Sequence, residues 1–312
     1  MKIQKIKEKL HLDKILLLFK KLLPSIGLIL VLALGFGLGS LIPIFVNKND
    51  HSSDSSTNSP TGDSASSYNT ESGDSSASST CSVLGINLHG FLSTYVVSAS
   101  VNNYDSNSSS DITSSEDITS KIESANDDKN IKAIIIEVDS SGGSPVAGEE
   151  IARAVKDSKK PVVAFIREIG ASASYWAIST AGKIFASKNS SVGSIGITQS
   201  YLSNEAKNKK DGYFYEQLSS GKYKDSGTPN KLLTADEKVL FMRDINIMFN
   251  NFTQAISENR NIPLDKVKSF SDGSTVLGDQ AKSFGLIDEI GGLKEAQNYL
   301  ETKIGEKPKM CW

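Results

Sequence analysis

Apolar and polar residues divide this 312-residue chain into three stretches. Residues 22–46 run 25 positions without a charge, and residues 47–80 are almost wholly Ser, Thr, Asn, Asp and Gly. From 81 onward apolar positions recur in short bursts. Residues 82–88, 131–138 and 161–166 are β-branched runs bounded by polar residues and are predicted to be strands. Helical stretches are predicted at about 117–127 and 145–158, with residues 98–117 as a polar excursion. Strands alternating with helices at this spacing imply βαβ units and a largely parallel sheet, an α/β fold. Thr234-Ala235-Asp236-Glu237 has the form of a capping box. It opens a long helix in which Phe241, Ile245, Met248, Phe252 and Ile256 recur at helical spacing, a core or subunit face. No internal repeat is present.

At about 1.5 Å per residue, the 22–46 stretch is long enough to cross a hydrocarbon core of roughly 30 Å. Lys20 and Lys21 precede it, Lys48 follows, and Pro24 and Pro43 sit near its ends. A cleaved signal peptide would have an apolar core of about 7–15 residues and a small-x-small site after it. Here the core is longer and Ile42-Pro43-Ile44-Phe45 is a poor cleavage site, so a single-pass transmembrane helix is expected. Residues 1–21 carry seven Lys against Glu8 and Asp13, which keeps the N-terminus cytoplasmic and everything after Val46 outside. Gly35 and Gly39 form a small-xxx-small pair that permits close helix approach, although glycine is common in such helices. Residues 47–80 cannot bury enough apolar surface to offset their ordering entropy and are expected to be a disordered tether. The folded domain is then 81–312. Cys81 lies too far from the apolar core for a lipoprotein cysteine. Outside the cytoplasm Cys81 and Cys311 are free either to pair or to remain thiols.

Charge and composition narrow the chemistry. The net charge is −2, and since residues 1–21 contribute +5 the remainder carries −7. Such a body argues against nucleic acid as a partner. Two Cys and three His, unclustered, are too few for a zinc or iron–sulfur site, and no cofactor is expected.

Two turns after predicted strands carry candidate chemistry. Asp139-Ser140-Ser141-Gly142-Gly143 leads from a strand to a helix, where glycines let backbone N–H groups point outward toward an oxyanion. The same turn is also an ordinary connection, and it lacks phosphate-loop spacing. Gly170-Ala171-Ser172-Ala173-Ser174-Tyr175-Trp176 puts serines at a strand-to-helix turn, either as a nucleophile or as a helix cap. His89 is the only histidine of the folded part, and nothing around it suggests a catalytic triad. A lysine can serve as base if its ammonium is desolvated. At its reference pKa near 10.4, lysine is neutral at pH 7 about once in 2,500 molecules, and a drop of about three units represents roughly 4 kcal/mol.

The region from about Val83 to Leu300 resembles the signal peptide peptidase A family, the protease IV-type serine/lysine endopeptidases, in its short single-domain form. The family's N-S-P-G-G element is similar to Asp139-Ser140-Ser141-Gly142-Gly143, and its A-S-G-G-Y element to Ala171-Ser172-Ala173-Ser174-Tyr175. T-G-S-[IL]-G is similar to Val192-Gly193-Ser194-Ile195-Gly196. S-G-x-x-K-D resembles Ser220-Gly221-Lys222-Tyr223-Lys224-Asp225, with Pro229 soon after. A-D-G-R-x-x-x-G-x-x-A resembles Ser271-Asp272-Gly273-Ser274 through Gly278 and Ala281, and the last element is Gly285-Leu286-Ile287-Asp288-Glu289-Ile290-Gly291. The resemblance implies Ser172 as nucleophile, Lys224 as general base, Ser194 as the hydroxyl that orients the lysine, the Gly143 N–H in the oxyanion hole and Gly142 in the oxyanion loop. Ser174 and Lys222 are the competing serine and lysine. Asp139 and Ser141 replace asparagine and proline, a change expected to loosen that loop, and Ser274 replaces arginine.

The family implies a Clp protease/crotonase-like fold and homo-oligomeric rings in which the lysine can come from the neighbouring subunit. The expected activity is Ser-Lys hydrolysis of signal peptides or other hydrophobic peptides on the extracytoplasmic side of the cell membrane. The alternative is a catalytically impaired ring that binds peptides or scaffolds a membrane assembly.

Overall fold

The computed structural model describes residues 81–96 and 112–312. The expected membrane helix at 22–46, its Gly35/Gly39 pair, the tether and most of the polar excursion lie outside the described residues. Among the described residues no helix is long and apolar enough to cross a membrane.

The chain order is β1 (Val83–Ser93), β2 (Ile112–Ser114), α1 (Ser115–Asp127), β3 (Ala133–Gly143), α2 (Pro145–Asp157), β4 (Val162–Ala171) and α3 (Ala173–Ile178). It continues with β5 (Lys183–Ala186), β6 (Ser191–Gly193), α4 (Glu205–Lys210) and α5 (Ala235–Arg260). The remaining elements are α6 (Leu264–Ser269), β7 (Thr275–Leu277), α7 (Gly278–Phe284), β8 (Glu289–Ile290), α8 (Leu293–Ile304) and β9 (Met310–Cys311). One sheet runs β2-β1-β3-β4-β5-β8, with every neighbouring pair parallel. The predicted strands and helices are therefore present. The polar excursion is shorter than expected, because Ser114 caps α1 by accepting the Asp117 N–H and the helix begins at Ser115.

Burial explains why the strand runs are continuous rather than alternating. Ala133, Ile134, Ile135 and Ile136 are all fully buried, since a parallel sheet is covered on both faces. Ile86, Leu88, Ile134, Ile136 and Ile166 face one core with α1, α2 and α3. Val83, Ile135, Val163 and Phe165, one residue out of phase, face Ala296 and Leu300 of α8.

The long helix α5 has both halves of its capping box, with Thr234 Oγ1 accepting the Glu237 N–H and Glu237 accepting the Thr234 N–H. Its apolar stripe divides. Phe252 and Ile256 are buried in the core, with Phe252 stacked on Trp176 at 4.7 Å, whereas Phe241, Ile245 and Met248 are only half-buried.

Cys81 and Cys311 are disulfide-bonded, with Cα atoms 5.8 Å apart. The bond is possible because β9 lies parallel beside the start of β1, with Val83 opposite Met310 and Leu84 opposite Cys311. No sequence spacing would have brought residues 230 positions apart together.

Candidate active site

Halfway along, β4 exchanges partners. Val163–Ile166 pair with β5, whereas Ile169, Gly170 and Ala171 pair with β6. At the same level, β1 and β3 shift register between His89 and Phe91, and β3 and β4 between Val138 and Ser140. Irregular strand ends of this kind re-aim side chains, and here they open a cleft at the carboxyl ends of the strands, where parallel sheets bind ligands.

Ser172 stands where β4 gives way to α3, with φ 53° and ψ −127°. Its N–H donates to the Gly193 carbonyl at 2.7 Å, and its own carbonyl accepts the Trp176 N–H at 3.0 Å. The backbone is thus held from both sides in a conformation that costs a non-glycine residue of order 1–3 kcal/mol. Ser172 occupies the N-cap position, yet its side chain makes no capping hydrogen bond. The ordinary helix-cap role therefore does not account for this serine. Nor does a long helix stand behind it, for α3 has six residues.

Ser174 is different. It is fully buried, its Oγ accepts the Ala171 N–H at 2.9 Å, and it lies 2.7 and 2.8 Å from the carbonyls of Ser140 and Ala171. Its hydroxyl is committed to holding the turn, and no route to a substrate is open.

The carboxyl end of β3 packs directly on this turn. Gly142 has φ +106°, and a Cβ there would lie 2.8 Å from both the Ala171 carbonyl oxygen and Ser172 Cβ. Gly143 has φ +155°, and a Cβ would fall 2.1 Å from the Leu92 carbonyl oxygen. Both positions therefore require glycine. The Gly142 N–H donates to Ser140 Oγ, which itself donates to the Gly90 carbonyl at 2.6 Å. Leu92 pairs with Gly143, but its carbonyl accepts the Ser144 N–H at 2.8 Å, so the Gly143 amide is left out of that ladder. Hydrogen bonds nevertheless tie the segment that carries Asp139 and Ser141. Ser140 pins the loop from inside, Asp139 accepts the Ile169 N–H at 3.3 Å, and Ser141 points to solvent.

Ser194 follows β6 with φ 48°. Among the described residues only Ser172, Ser194 and the helix-capping Asn261 are non-glycines with positive φ. Ser194 donates its N–H to the Ser274 carbonyl at 3.0 Å and its hydroxyl to the Gly273 carbonyl at 2.8 Å. Ser172, Ser194 and Gly143 line one cavity of about 430 Å³, whose walls include Pro145, Ile197, Phe249 and Asp272. A larger groove of about 870 Å³ runs along α1 and α2, with Glu116, Glu123 and Asp157 among its residues and none of these serines.

Lys224 does not line the 430 Å³ cavity. It is exposed in the turn at 221–224, and among the described residues its amine makes no hydrogen bond or ion pair. Lys222 is bound to Asp236 at 2.6 Å and lies over the Tyr223 ring, and Asp236 holds its ammonium above the usual lysine range. His89 Nε2 donates to Glu137 Oε1, 3.2 Å away, and His89 lines neither cavity. Sequence reasoning overlooked Ser140 as the pin of the glycine loop, and Phe249 and Pro145 as walls of the cavity. It gave no role to Asp272, although the motif containing it was visible.

A largely parallel α/β domain thus brings two serines with positive φ to one cleft. Comparison with known proteins narrows the class. Residues 154–306 match Peptidase family S49. A putative protease of Methanocaldococcus jannaschii is 34% identical over 176 residues, covering 56% of this chain and 57% of that protein. The chloroplastic serine protease SPPA of Arabidopsis thaliana is 32% identical over 184 residues, covering 58% of this chain and 27% of that protein. A ClpP1 mutant from Listeria monocytogenes superposes with a TM-score of 0.44 at 15% identity, over 68% of this chain and 92% of that one. The chain is thus similar to signal peptide peptidase A-type proteases, and its residues 154–306 match peptidase family S49. It spans about half the length of the first of these relatives and about a quarter of the second.

Proposed function

We propose that this chain is a serine endopeptidase in which Ser172 is the nucleophile and Lys224 the general base, tethered by residues 22–46 to the extracytoplasmic face of the cell membrane. The observation that carries the reading is Ser172 itself, held at positive φ with an uncommitted hydroxyl on a cavity shared with Ser194 and Gly143. Neutral Lys224 takes the Ser172 proton as Oγ attacks the peptide carbonyl, and the Gly143 N–H supports the oxyanion. The lysine returns the proton to the leaving amine, giving an acyl-enzyme. Water, deprotonated by the same lysine, then releases the acyl group.

The position of Lys224 outside the cavity supports a base supplied by a neighbouring copy in a homo-oligomer of the Clp-like type. Its segment carries large exposed apolar side chains, with Phe214 88% and Leu218 90% accessible, and Val239 and Ile247 of α5 add to them. Such a surface is suited to burial against a second copy. Desolvation of the ammonium in that cavity would favour the neutral amine. Apolar walls at Pro145, Ile197 and Phe249 support signal peptides or other hydrophobic peptides as substrates. The disulfide supports an oxidising compartment.

The test mixes subunits. Ser172→Ala and Lys224→Ala oligomers, each inactive on a fluorogenic apolar peptide, should regain turnover when dissociated and reassembled together. Mixtures that stay inactive would rule out the shared site. A wild-type oligomer that cleaves nothing and resists a serine-directed acylating probe would replace the peptidase reading with a peptide-binding scaffold.

A further inference from the structure

We infer that Asp272 is a positioning residue, whose carboxylate folds the turn 272–274 so that its carbonyls hold Ser194 in place on the cavity beside Ser172. The inference rests on the serine-peptidase reading above and gives it a component that the motif alone did not assign.

Ser194 sits at positive φ, a conformation that does not persist without outside restraint. Two hydrogen bonds supply the restraint, and both acceptors belong to one turn: the Ser274 carbonyl takes the Ser194 N–H at 3.0 Å, and the Gly273 carbonyl takes its hydroxyl at 2.8 Å. The turn is closed from within by Asp272, whose Oδ1 accepts the Ser274 N–H at 2.9 Å and the Ser274 hydroxyl at 2.6 Å. The resembled motif carries arginine at this position. Here Ser274 gives the carboxylate a second donor instead.

The turn is also fixed in space. It continues the antiparallel pairing of β6 with β7, in which Gly193 lies opposite Thr275. A Cβ on Gly196 would come 3.0 Å from Gly273 Cα, so the two backbones are in close contact. The Ser274 hydroxyl and N–H hold the Asp272 carboxyl below the usual carboxylate range, so the acceptor stays ionised at neutral pH.

The geometry has a chemical consequence. Once the Ser194 hydroxyl donates to Gly273, the lone pairs of its oxygen remain to accept an N–H from the lysine amine. A hydroxyl freed from Gly273 would rotate, and the amine would lose its orientation toward Ser172.

The experiment is a double-mutant cycle on the intact oligomer. Asp272→Ala should lower kcat about ten- to a hundredfold with KM little changed, the scale expected when a catalytic group is misplaced by roughly 1 Å. Asp272→Asn keeps an oxygen for the same two donors and should retain at least about half of the turnover. In a Ser194→Ala background, Asp272→Ala should change kcat by less than about twofold, because its effect runs through Ser194. An equal loss in both backgrounds, or Asn as poor as Ala, would overturn the inference. Crystal structures of the two Asp272 variants make the test independent of activity. Ser194 Oγ should leave the Gly273 carbonyl in the Ala variant and stay in the Asn variant, and an unmoved Ser194 in the Ala variant sinks the inference. A wild-type protein without turnover, by contrast, removes only the peptidase reading.

Discussion

Ser174 Oγ lies 2.7 Å from the Ser140 carbonyl, joining the turn after β4 to the glycine-bearing end of β3. Two residues that resembled rivals thus have separate tasks, with Ser174 binding the two loops together and Ser172 left free at the surface of the cleft. Ser174→Ala should cost about 1–3 kcal/mol, the usual penalty for stranding buried polar partners, while turnover survives. Ser172→Ala should leave the urea midpoint nearly unchanged and abolish turnover. Denaturation and peptide cleavage measured on both variants separate the roles. A dead Ser174→Ala of full stability would shift the nucleophile by two residues.

The two lysines of the 220–225 segment make a second contrast. Lys222 is engaged by Asp236, which holds its ammonium above the usual lysine range and disfavours the neutral amine that a base requires. Lys222→Ala is expected to keep kcat/KM within a few-fold of wild type. Lys224→Ala should lose about a hundredfold or more, as removal of a general base does.

Reduction of the disulfide releases β9 from β1. The loop it closes has a sequence separation of 230, for which chain entropy sets a stabilisation of about 5 kcal/mol. Cys81→Ser should lower the urea midpoint, and hydrogen exchange should quicken first at Val83, Leu84 and Met310. Trp312 covers Gly85, where a Cβ would meet its ring at 2.4 Å, so its fluorescence should also change. An unchanged midpoint under reductant would count against a structural role for the bond.

Glu237 is 2% exposed, and its carboxyl is held below the usual glutamate range, first by the Thr234 N–H and then by Lys231 at 3.0 Å. A depressed folded-state pKa means that this stabilisation is complete above the ordinary glutamate pKa. It is lost as pH falls through the lower folded value. The stability gap between wild type and Glu237→Gln should therefore be wide at pH 7 and narrow as the pH is taken below the ordinary glutamate range. Thr234→Ala, which removes the reciprocal cap, should cost about 1 kcal/mol.

Much of the fold was legible because its causes are local. The buried runs at 133–136 and 162–166, the cap at Thr234, and the glycine pair at 142–143 each state their conformation within a few residues. The short strands β5 to β9 were not legible. They have two to four residues each and become strands only because an existing sheet offers them unpaired edges.

The candidate site divides in the same way. Residue order along the chain determined which serines and lysines were in contention, the parallel α/β class and the strand-to-helix turns that carry chemistry. Only the tertiary structure shows that Ser174 is buried and hydrogen-bond saturated while the Ser172 hydroxyl is uncommitted, because the Ser174 contacts include Ser140, which lies 34 residues away. The pairing of Cys81 with Cys311 and the hydrogen bonds of Ser194 to Gly273 and Ser274 were likewise decided there. Each is a meeting of segments far apart in sequence, and the free energy that fixes it comes from packing that no local pattern contains.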